Sequence, residues 1–308
     1  MIAVRIGEAL QPFLTERSPY EMYDTDLVHA GSTACWLCGG DARIDEQYRG
    51  VSLYRCGDCG FLFAPERSTG DLHGIYTDEY FEQYPGGESY IADETQRRYE
   101  AAKRLKWVTS YASGGRLMEI GAANGVFLDE ARKAGFDVFG IEPAAGLAAR
   151  ARELFGVNVI AGFIETAKIP PEPFNAICAW HVLEHIREPQ QSLRRLREAL
   201  SDDGLLFLEI PNIASVRARR HGENWFHLDP ENHVGFYTPE QLAELLGQAG
   251  FEVTETFSVS ALSYLRPRLA LRPVSLALRA YDTITTRSLQ SRPHPYKHEL
   301  LRAVARPA

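Results

Sequence analysis

The sequence predicts an α/β protein built on a doubly wound, largely parallel sheet, with a small four-cysteine unit ahead of it. Three observations carry that expectation. From residue 116 to residue 257, short apolar runs alternate with amphipathic runs of helical period. Four of the five cysteines form two Cys-x2-Cys pairs, Cys35/Cys38 and Cys56/Cys59, with 17 residues between the pairs. The second apolar run ends on an acid, Glu142, which lies 21 residues after Gly121 of a short glycine-containing turn.

Composition sets the outer bounds. The chain has 308 residues, of which 45% are hydrophobic and 24% charged, proportions usual for a soluble globular protein. No run approaches the ~18 uninterrupted apolar residues of a membrane span. The first residues, MIAVRIGEALQPFLTERSP, lack the apolar core of a signal peptide. A cytoplasmic protein is therefore expected. The net charge of −8 argues against a dedicated nucleic-acid binder. That charge is uneven: residues 261–308 carry +7 and the rest of the chain −15. The expected layout is an extension over 1–30, a four-cysteine unit over 31–70, an aromatic-rich linker and helix over 71–112, and a main domain over 113–308. A basic insertion at about 259–298 interrupts the main domain.

Each Cys-x2-Cys turn aims two thiolates at one point, and two such turns complete a closed tetrahedron. Cys35, Cys38, Cys56 and Cys59 are thus expected to hold one structural zinc. Four thiolates leave no open coordination position, so no catalysis is assigned to this metal. A unit this small needs its metal because its own core is too small. Cys178 lies in a strand-like run and reads as a small buried hydrophobe.

In chain order, a helix is expected over 95–111, ended by Gly114-Gly115. Strands follow at 116–120, 137–141, 158–161, 174–180, 204–210 and 251–257, each a short apolar run. Helices over 126–134, 144–155, 189–200 and 238–249 separate most of them. The last of these helices has Thr238 as N-cap, Pro239 at its first position and Gly250 at its end. Residues 299–305 read as one more strand, returning the chain to the sheet after the basic insertion.

The turn after the first strand of this series, Gly121-Ala122-Ala123-Asn124-Gly125, opens a helix. Its glycines let the backbone approach a ligand, and the helix start offers unpaired N–H groups. Glu142 at the end of the next strand can accept from both hydroxyls of a ribose. Together they indicate an adenosine-containing cofactor. A dinucleotide turn would need glycines at positions 123 and 126, where Ala123 and Val126 stand, and no triphosphate-binding loop is present. Glu119, just before the turn, would repel a pyrophosphate but accept hydrogen bonds from an amine. S-adenosylmethionine carries an amine and a sulfonium and no phosphate, so it is the expected cofactor.

The stretches Met118–Gly125, Gly140–Pro143 and Ala179–His185 together resemble a class I S-adenosylmethionine-dependent methyltransferase. The resemblance implies a seven-stranded, Rossmann-like sheet whose last strand is antiparallel. The cysteine pattern, the aromatic Tyr76–Tyr84 segment and the Trp225–Pro239 stretch resemble a bacterial subgroup with an N-terminal zinc ribbon. That subgroup often serves natural-product or surface-polysaccharide pathways, which implies a small-molecule or glycosyl acceptor. The resemblance covers about residues 33–258 and resumes at Glu299. It implies that Gly121, Ala123 and Gly125, with Asn124 in the same turn, contact the cofactor, and that Glu119 takes its amino group. Glu142 would hold the ribose, with Pro143 flanking. Phe163 and Ile164 would border the adenine, and Trp180 and His181 would face the methyl-transfer cavity. Ala123 departs from the glycine usual there.

For a hydroxyl nucleophile a histidine is the expected base near neutral pH. The candidates are His181, His185 and His233, with His227 and Asp229 behind them. His181 and His185, four apart, would share a face if helical. Their spacing also suits a metal pair, but no third ligand of clear spacing accompanies it. Glu184-His185 also reads as a structural pair that caps or braces the following helix. The aromatic stripe over Tyr76–Tyr90 reads either as packing or as a lid. The basic insertion reads as a cap over the acceptor, a dimer surface, a peripheral contact with anionic lipid, or a helix packed on its own acidic body. Two other functions fit the same residues: an RNA methyltransferase, or an inactive zinc-ribbon interaction protein. The sequence sets neither the acceptor nor the oligomeric state.

Overall fold

The computed structural model describes residues 31–65, 94–187, 189–264 and 297–308. The aromatic stripe over 76–90 and nearly all of the basic insertion lie outside the described residues.

The first layer is a small antiparallel sheet. Its strands are β1 (Ser32–Ala34), β2 (Asp41–Tyr48), β3 (Val51–Cys56) and β4 (Leu62–Phe63). The Cys35 and Cys56 turns close on themselves through backbone bonds, Gly39 N–H to Cys35 O and Gly60 N–H to Cys56 O, at 2.9 and 3.0 Å. Each turn ends on a glycine with positive φ, 75° at Gly39 and 69° at Gly60, a conformation that costs glycine least.

A helix, α1 (Glu94–Val108), leads into the second layer. There β5 (Gly115–Ile120), α2 (Val126–Lys133), β6 (Phe136–Glu142), α3 (Ala145–Phe155) and β7 (Asn158–Ala161) form two consecutive βα crossovers. Next come β8 (Phe174–Trp180), a 3₁₀ turn at Leu183–His185, α4 (Pro189–Ala199) and β9 (Leu200–Pro211). The chain then passes through a short helix, α5 (Val216–His221), and a two-residue strand, β10 (Gly235–Phe236). It continues as α6 (Pro239–Gln248) and β11 (Phe251–Val259), and ends on β12 (Leu300–Pro307). The sequence reading did not anticipate α5 or β10, since six and two residues are too few for a pattern to repeat.

The large sheet has seven strands in the order β11-β12-β9-β8-β5-β6-β7. Pairings β5/β6, β5/β8, β6/β7 and β8/β9 are parallel. β12 inserts between β11 and β9 and is antiparallel to both. The strand order reverses between β5 and β8, so the carboxyl ends of β5, β6 and β8 flank the crevice where such sheets bind ligands. β8 is buried at six of its seven positions, as a central parallel strand with both faces covered must be.

Two devices join the layers. β10 pairs antiparallel with β4, so a segment of the second layer completes the first sheet. The capping box of α6 does the rest. Thr238 Oγ1 accepts from Gln241 N–H, and Gln241 Oε1 accepts from Thr238 N–H. The Gln241 amide then donates to Cys59 O at 3.0 Å. Such a cap contributes ~1 kcal/mol to its helix, and here it also anchors a cysteine turn. Apolar packing runs through the same junction, with Phe61 against Tyr237 at 5.1 Å between ring centroids.

Candidate active site

Three acids stand at the carboxyl ends of central strands: Glu119 on β5, Glu142 on β6 and Glu209 on β9. All three are buried. Burying an acid in such a place is costly unless something compensates its charge, and the three acids differ in what meets them.

Glu209 is neutralised by the protein. Arg104 from α1 donates to its Oε1 from Nη2 at 2.7 Å and from Nε at 3.0 Å, and Arg302 Nε donates to its Oε2 at 2.7 Å. The Tyr264 hydroxyl donates to Oε2 as well. Burial works against ionisation here, but the two guanidinium groups overcome it and hold the carboxyl below its usual range.

Glu142 closes the glycine turn. Its Oε2 accepts from Ala123 N–H at 2.7 Å and its Oε1 from Ala144 N–H at 2.9 Å. The carboxylate thereby holds both ends of the crevice, the β5–α2 turn and the start of α3. Gly121 and Ala122 N–H donate to Ile141 O, keeping the turn against β6. Gly121 has φ 70°, and a Cβ there would lie 2.7 Å from Val182 Cγ2, so this position needs glycine both for conformation and for space. Ala123 is also left-handed, at φ 46°, an uncommon state for a residue with a Cβ. Asn124 is buried, and Gly125 caps α2.

Glu119 has no such compensation. Its Oε2 is buried without a hydrogen-bond partner among the described residues. Burial pushes its carboxyl well above the usual range; Arg104 opposes that shift and Glu142 adds to it. A buried carboxylate oxygen beside a turn that admits close backbone approach fits a cationic amine from outside the chain. The residues at the turn therefore suit the amino-acid end of S-adenosylmethionine.

Pro143 is half-buried after Glu142. Phe163 is half-buried and Ile164 buried in the turn after β7, where Ala167 N–H donates to Phe163 O at 2.7 Å. Trp180 is packed among Phe127 of α2, at 5.2 Å between centroids, and Trp107 of α1, at 5.8 Å. Its Nε1 is buried and unpartnered among the described residues.

The histidines converge. His181, the residue after β8, takes a left-handed backbone at φ 55°, and its N–H donates to Glu209 O. Its Nδ1 lies 3.2 Å from Glu184 Oε1 and its Nε2 3.6 Å from Glu209 Oε1, while about a third of its side chain stays exposed. His181 and His185 do not share a helix face, contrary to the spacing argument. The helical conformation spans only Leu183–His185, because His181 is left-handed and Val182, at φ −125° and ψ −45°, lies outside the helix. His185 instead stacks edge-on to His233 at 4.8 Å, and His227 lies between His181 and His233 at 6.2 and 6.4 Å. Burial, then the charge of His233, pulls the His185 imidazole down to about 4. Burial likewise pulls His227 down to about 3.

The sequence reading had no role for Glu184 beyond bracing and did not single out Glu209. The signal for Glu209 was an acid inside the apolar run GLLFLEI, the same signature as Glu119 and Glu142. Arg104 and Arg302 gave none, since each meets Glu209 across elements distant in sequence.

The four cysteine sulfurs lie within 4.8 Å of one another. Cys35 and Cys59 Sγ are 3.6 Å apart, and Cys38 and Cys56 Sγ 3.4 Å. Thiolates ~2.3 Å from a shared tetrahedral ion stand ~3.8 Å apart, so the four residues suit a zinc ion.

Comparison with known proteins agrees with this architecture. The profile of a methyltransferase domain matches residues 92–256, more than half of the chain. The chain is 26% identical over 153 residues to a ubiquinone biosynthesis O-methyltransferase of Azorhizobium caulinodans, spanning 46% of this chain and 60% of that protein. It is 27% identical over 152 residues to the C-methyltransferase NovU of Streptomyces niveus, spanning 46% of this chain and 34% of that protein. The matched region thus spans under two thirds of the length of either relative. Among solved structures, the fold is similar to that of a SAM-dependent methyltransferase from Archaeoglobus fulgidus, with a TM-score of 0.51 at 19% identity over 71% of this chain and 99% of that one. By its domain match, its strand order and its crevice, this chain belongs to the methyltransferase-domain family, with the Rossmann-like α/β fold of S-adenosylmethionine-dependent methyltransferases.

Proposed function

We propose that the protein transfers a methyl group from S-adenosylmethionine to a hydroxyl of a small-molecule or glycosyl acceptor. The observation that carries this reading is the buried, uncompensated Glu119 oxygen at the head of the Gly121–Gly125 turn, with Glu142 across it. The family match and the relative named as a ubiquinone biosynthesis O-methyltransferase support it, while the other relative is named as a C-methyltransferase. A place in natural-product or surface-polysaccharide assembly, in the cytoplasm, is part of the same proposal. Among the described residues no helix is long and apolar enough to cross a membrane.

When bound, S-adenosylmethionine supplies an electrophilic methyl group on a sulfonium. The chain's part is placement and proton transfer. Glu119 takes the amino group. Glu142 takes the ribose hydroxyls while holding the turn, with Pro143 beside it, and Gly121, Ala123, Asn124 and Gly125 line the cofactor's path. Phe163 and Ile164 border the adenine, and Trp180 closes the cavity wall. His181 accepts the acceptor's proton, with Glu184 setting its ring orientation; His185 and His233 line the same region. A structural zinc on Cys35, Cys38, Cys56 and Cys59 stabilises the first layer, as a zinc ribbon.

Calorimetry tests the cofactor. S-adenosylmethionine and its demethylated product should bind at one site per chain, while NAD should not. Incubation with isotopically labelled S-adenosylmethionine and a panel of hydroxylated aromatics and nucleotide sugars should label an acceptor oxygen. Tight NAD binding, or absence of S-adenosylmethionine binding, refutes the reading.

A further inference from the structure

Beyond the four cysteines, the structure brings together a second set of metal-ligating side chains. Glu184 and His185 come from the 3₁₀ turn after β8, and His233 from the segment before β10. One ligand atom from each lies within 4.8 Å of the others. An ion ~2 Å from each ligand draws such a set together with small shifts.

Three features distinguish this set from a chance meeting of polar groups. The first is the state of the histidines. His185 Nδ1 lies 2.8 Å from Asn232 O, and His233 Nδ1 lies 2.9 Å from His227 O. A carbonyl oxygen only accepts, so both Nδ1 atoms carry a proton, and in the neutral ring each Nε2 carries the lone pair. A backbone carbonyl behind the distal nitrogen is the usual support of a metal-bound histidine. The second is Glu184, which is 1% exposed. Its Oε1 meets His181, and its Oε2 is buried with no partner among the described residues. A carboxylate oxygen in that position costs stability unless a proton donor or a cation meets it. The third is backbone support. Val234 N–H donates to Glu184 O at 2.7 Å, tying the two ligand-bearing segments together, and His233 N–H donates to Asp229 O at 2.7 Å. The ligand positions are thus set by main-chain bonds in the protein itself.

We propose that Glu184, His185 and His233 form a binding site for a divalent transition cation, such as zinc, manganese or iron(II), separate from the four cysteines. Two imidazoles and one carboxylate suit these ions and not the hard, all-oxygen preference of calcium or magnesium. Three protein ligands leave coordination positions for oxygen from outside the chain, the arrangement of a catalytic and not a structural site. On the methyl-transfer reading, which this consequence rests on, that oxygen is the acceptor hydroxyl. Glu184 then joins the ion to His181 through its two carboxylate oxygens. The cation binding itself does not depend on that reading.

The test uses the full chain, purified without chelator and exchanged into Co2+ by dialysis. Two cobalt ions per chain are expected. One should show the intense near-ultraviolet bands of thiolate ligation. The other should show weak visible bands of nitrogen and oxygen ligation alone. Cys35→Ser should remove the first signature, whereas Glu184→Gln and His233→Ala should each weaken the second ion by ~100-fold or more. Circular dichroism checks that each variant is folded. A wild-type chain that takes up one cobalt ion with thiolate bands alone overturns the proposal, whatever the variants do. So does a second ion whose spectrum and affinity are unchanged in both Glu184→Gln and His233→Ala. The readout needs no turnover, so loss of this site leaves the methyl-transfer reading standing. Absence of S-adenosylmethionine binding with the second ion in place refutes that reading alone.

Discussion

Glu184 Oε1 lies 3.2 Å from His181 Nδ1, and this contact orients the one histidine of the cluster that follows directly on a central strand. The carboxylate is 1% exposed, yet its pKa is held below the ordinary range. Burial opposes that shift, and the hydrogen bond from His181 outweighs it. An ionised Glu184 holds Nδ1–H and leaves Nε2 of His181 as the proton acceptor, the division of labour of an oriented general base.

His181→Ala should therefore lower kcat by about 100- to 10,000-fold, the usual cost of losing a general base. S-adenosylmethionine affinity, read by calorimetry, should stay within about threefold of wild type. Near-normal turnover in this variant would place the base elsewhere.

Glu142→Ala should weaken S-adenosylmethionine binding by about 1.5–3 kcal/mol, the range for hydrogen bonds to a charged group. Glu142 also accepts from Ala123 and Ala144 N–H, so the β5–α2 turn should loosen in the same variant. Hydrogen exchange at Ala123 reports that loosening independently of the cofactor. Unchanged affinity would remove Glu142 from the ribose.

Removing the cysteine-bound metal should destabilise both layers, because Gln241 and β10 tie the cysteine sheet to the main one. Cys35→Ser should lower the thermal midpoint by roughly 3–6 °C, equivalent to about 2–4 kcal/mol at this size. Metal analysis of the wild type should give a zinc-loaded four-cysteine site. A chain without bound metal, with the same midpoint as Cys35→Ser, would refute the assignment.

Asp129 on α2 gives a pH prediction. It is 2% exposed and meets Arg98 of α1 at 2.8 Å, together with Arg132 and Lys133 of its own helix. Burial raises its carboxyl, but the bonds from Lys133, Arg98 and Arg132 overcome this and bring it from 3.8 down to about 2. A folded-state value below the unfolded one adds stability that is complete above pH ~4 and is lost as pH falls toward 2. Asp129→Asn should cost about 2 kcal/mol at pH 7 in urea denaturation. The difference from wild type should shrink by about half at pH 3. A gap of the same size at both pH values would contradict the assignment.

The main sheet was legible because its strands are buried on both faces. Such strands must be apolar along their whole length, so runs like Phe174–Trp180 stand out from the amphipathic helices beside them. The glycine turn was legible for a local reason, since a left-handed backbone at Gly121 and Gly125 restricts residue type directly. The cysteine set was legible because a ligand pair three positions apart fits one turn. The histidine cluster was not. His181 and His185 read as helical neighbours by spacing, but the backbone at His181 turns left-handed, and His185 meets His233 across 48 positions of sequence. The clamp on Glu209 joins α1, β9 and β12, and the pairing of β10 with β4 joins two layers far apart in the chain. Local pattern records what one element must bury or how one turn must bend. Which side chains from different elements meet is decided by the order in which strands pack, and that is set by the summed packing of the whole chain.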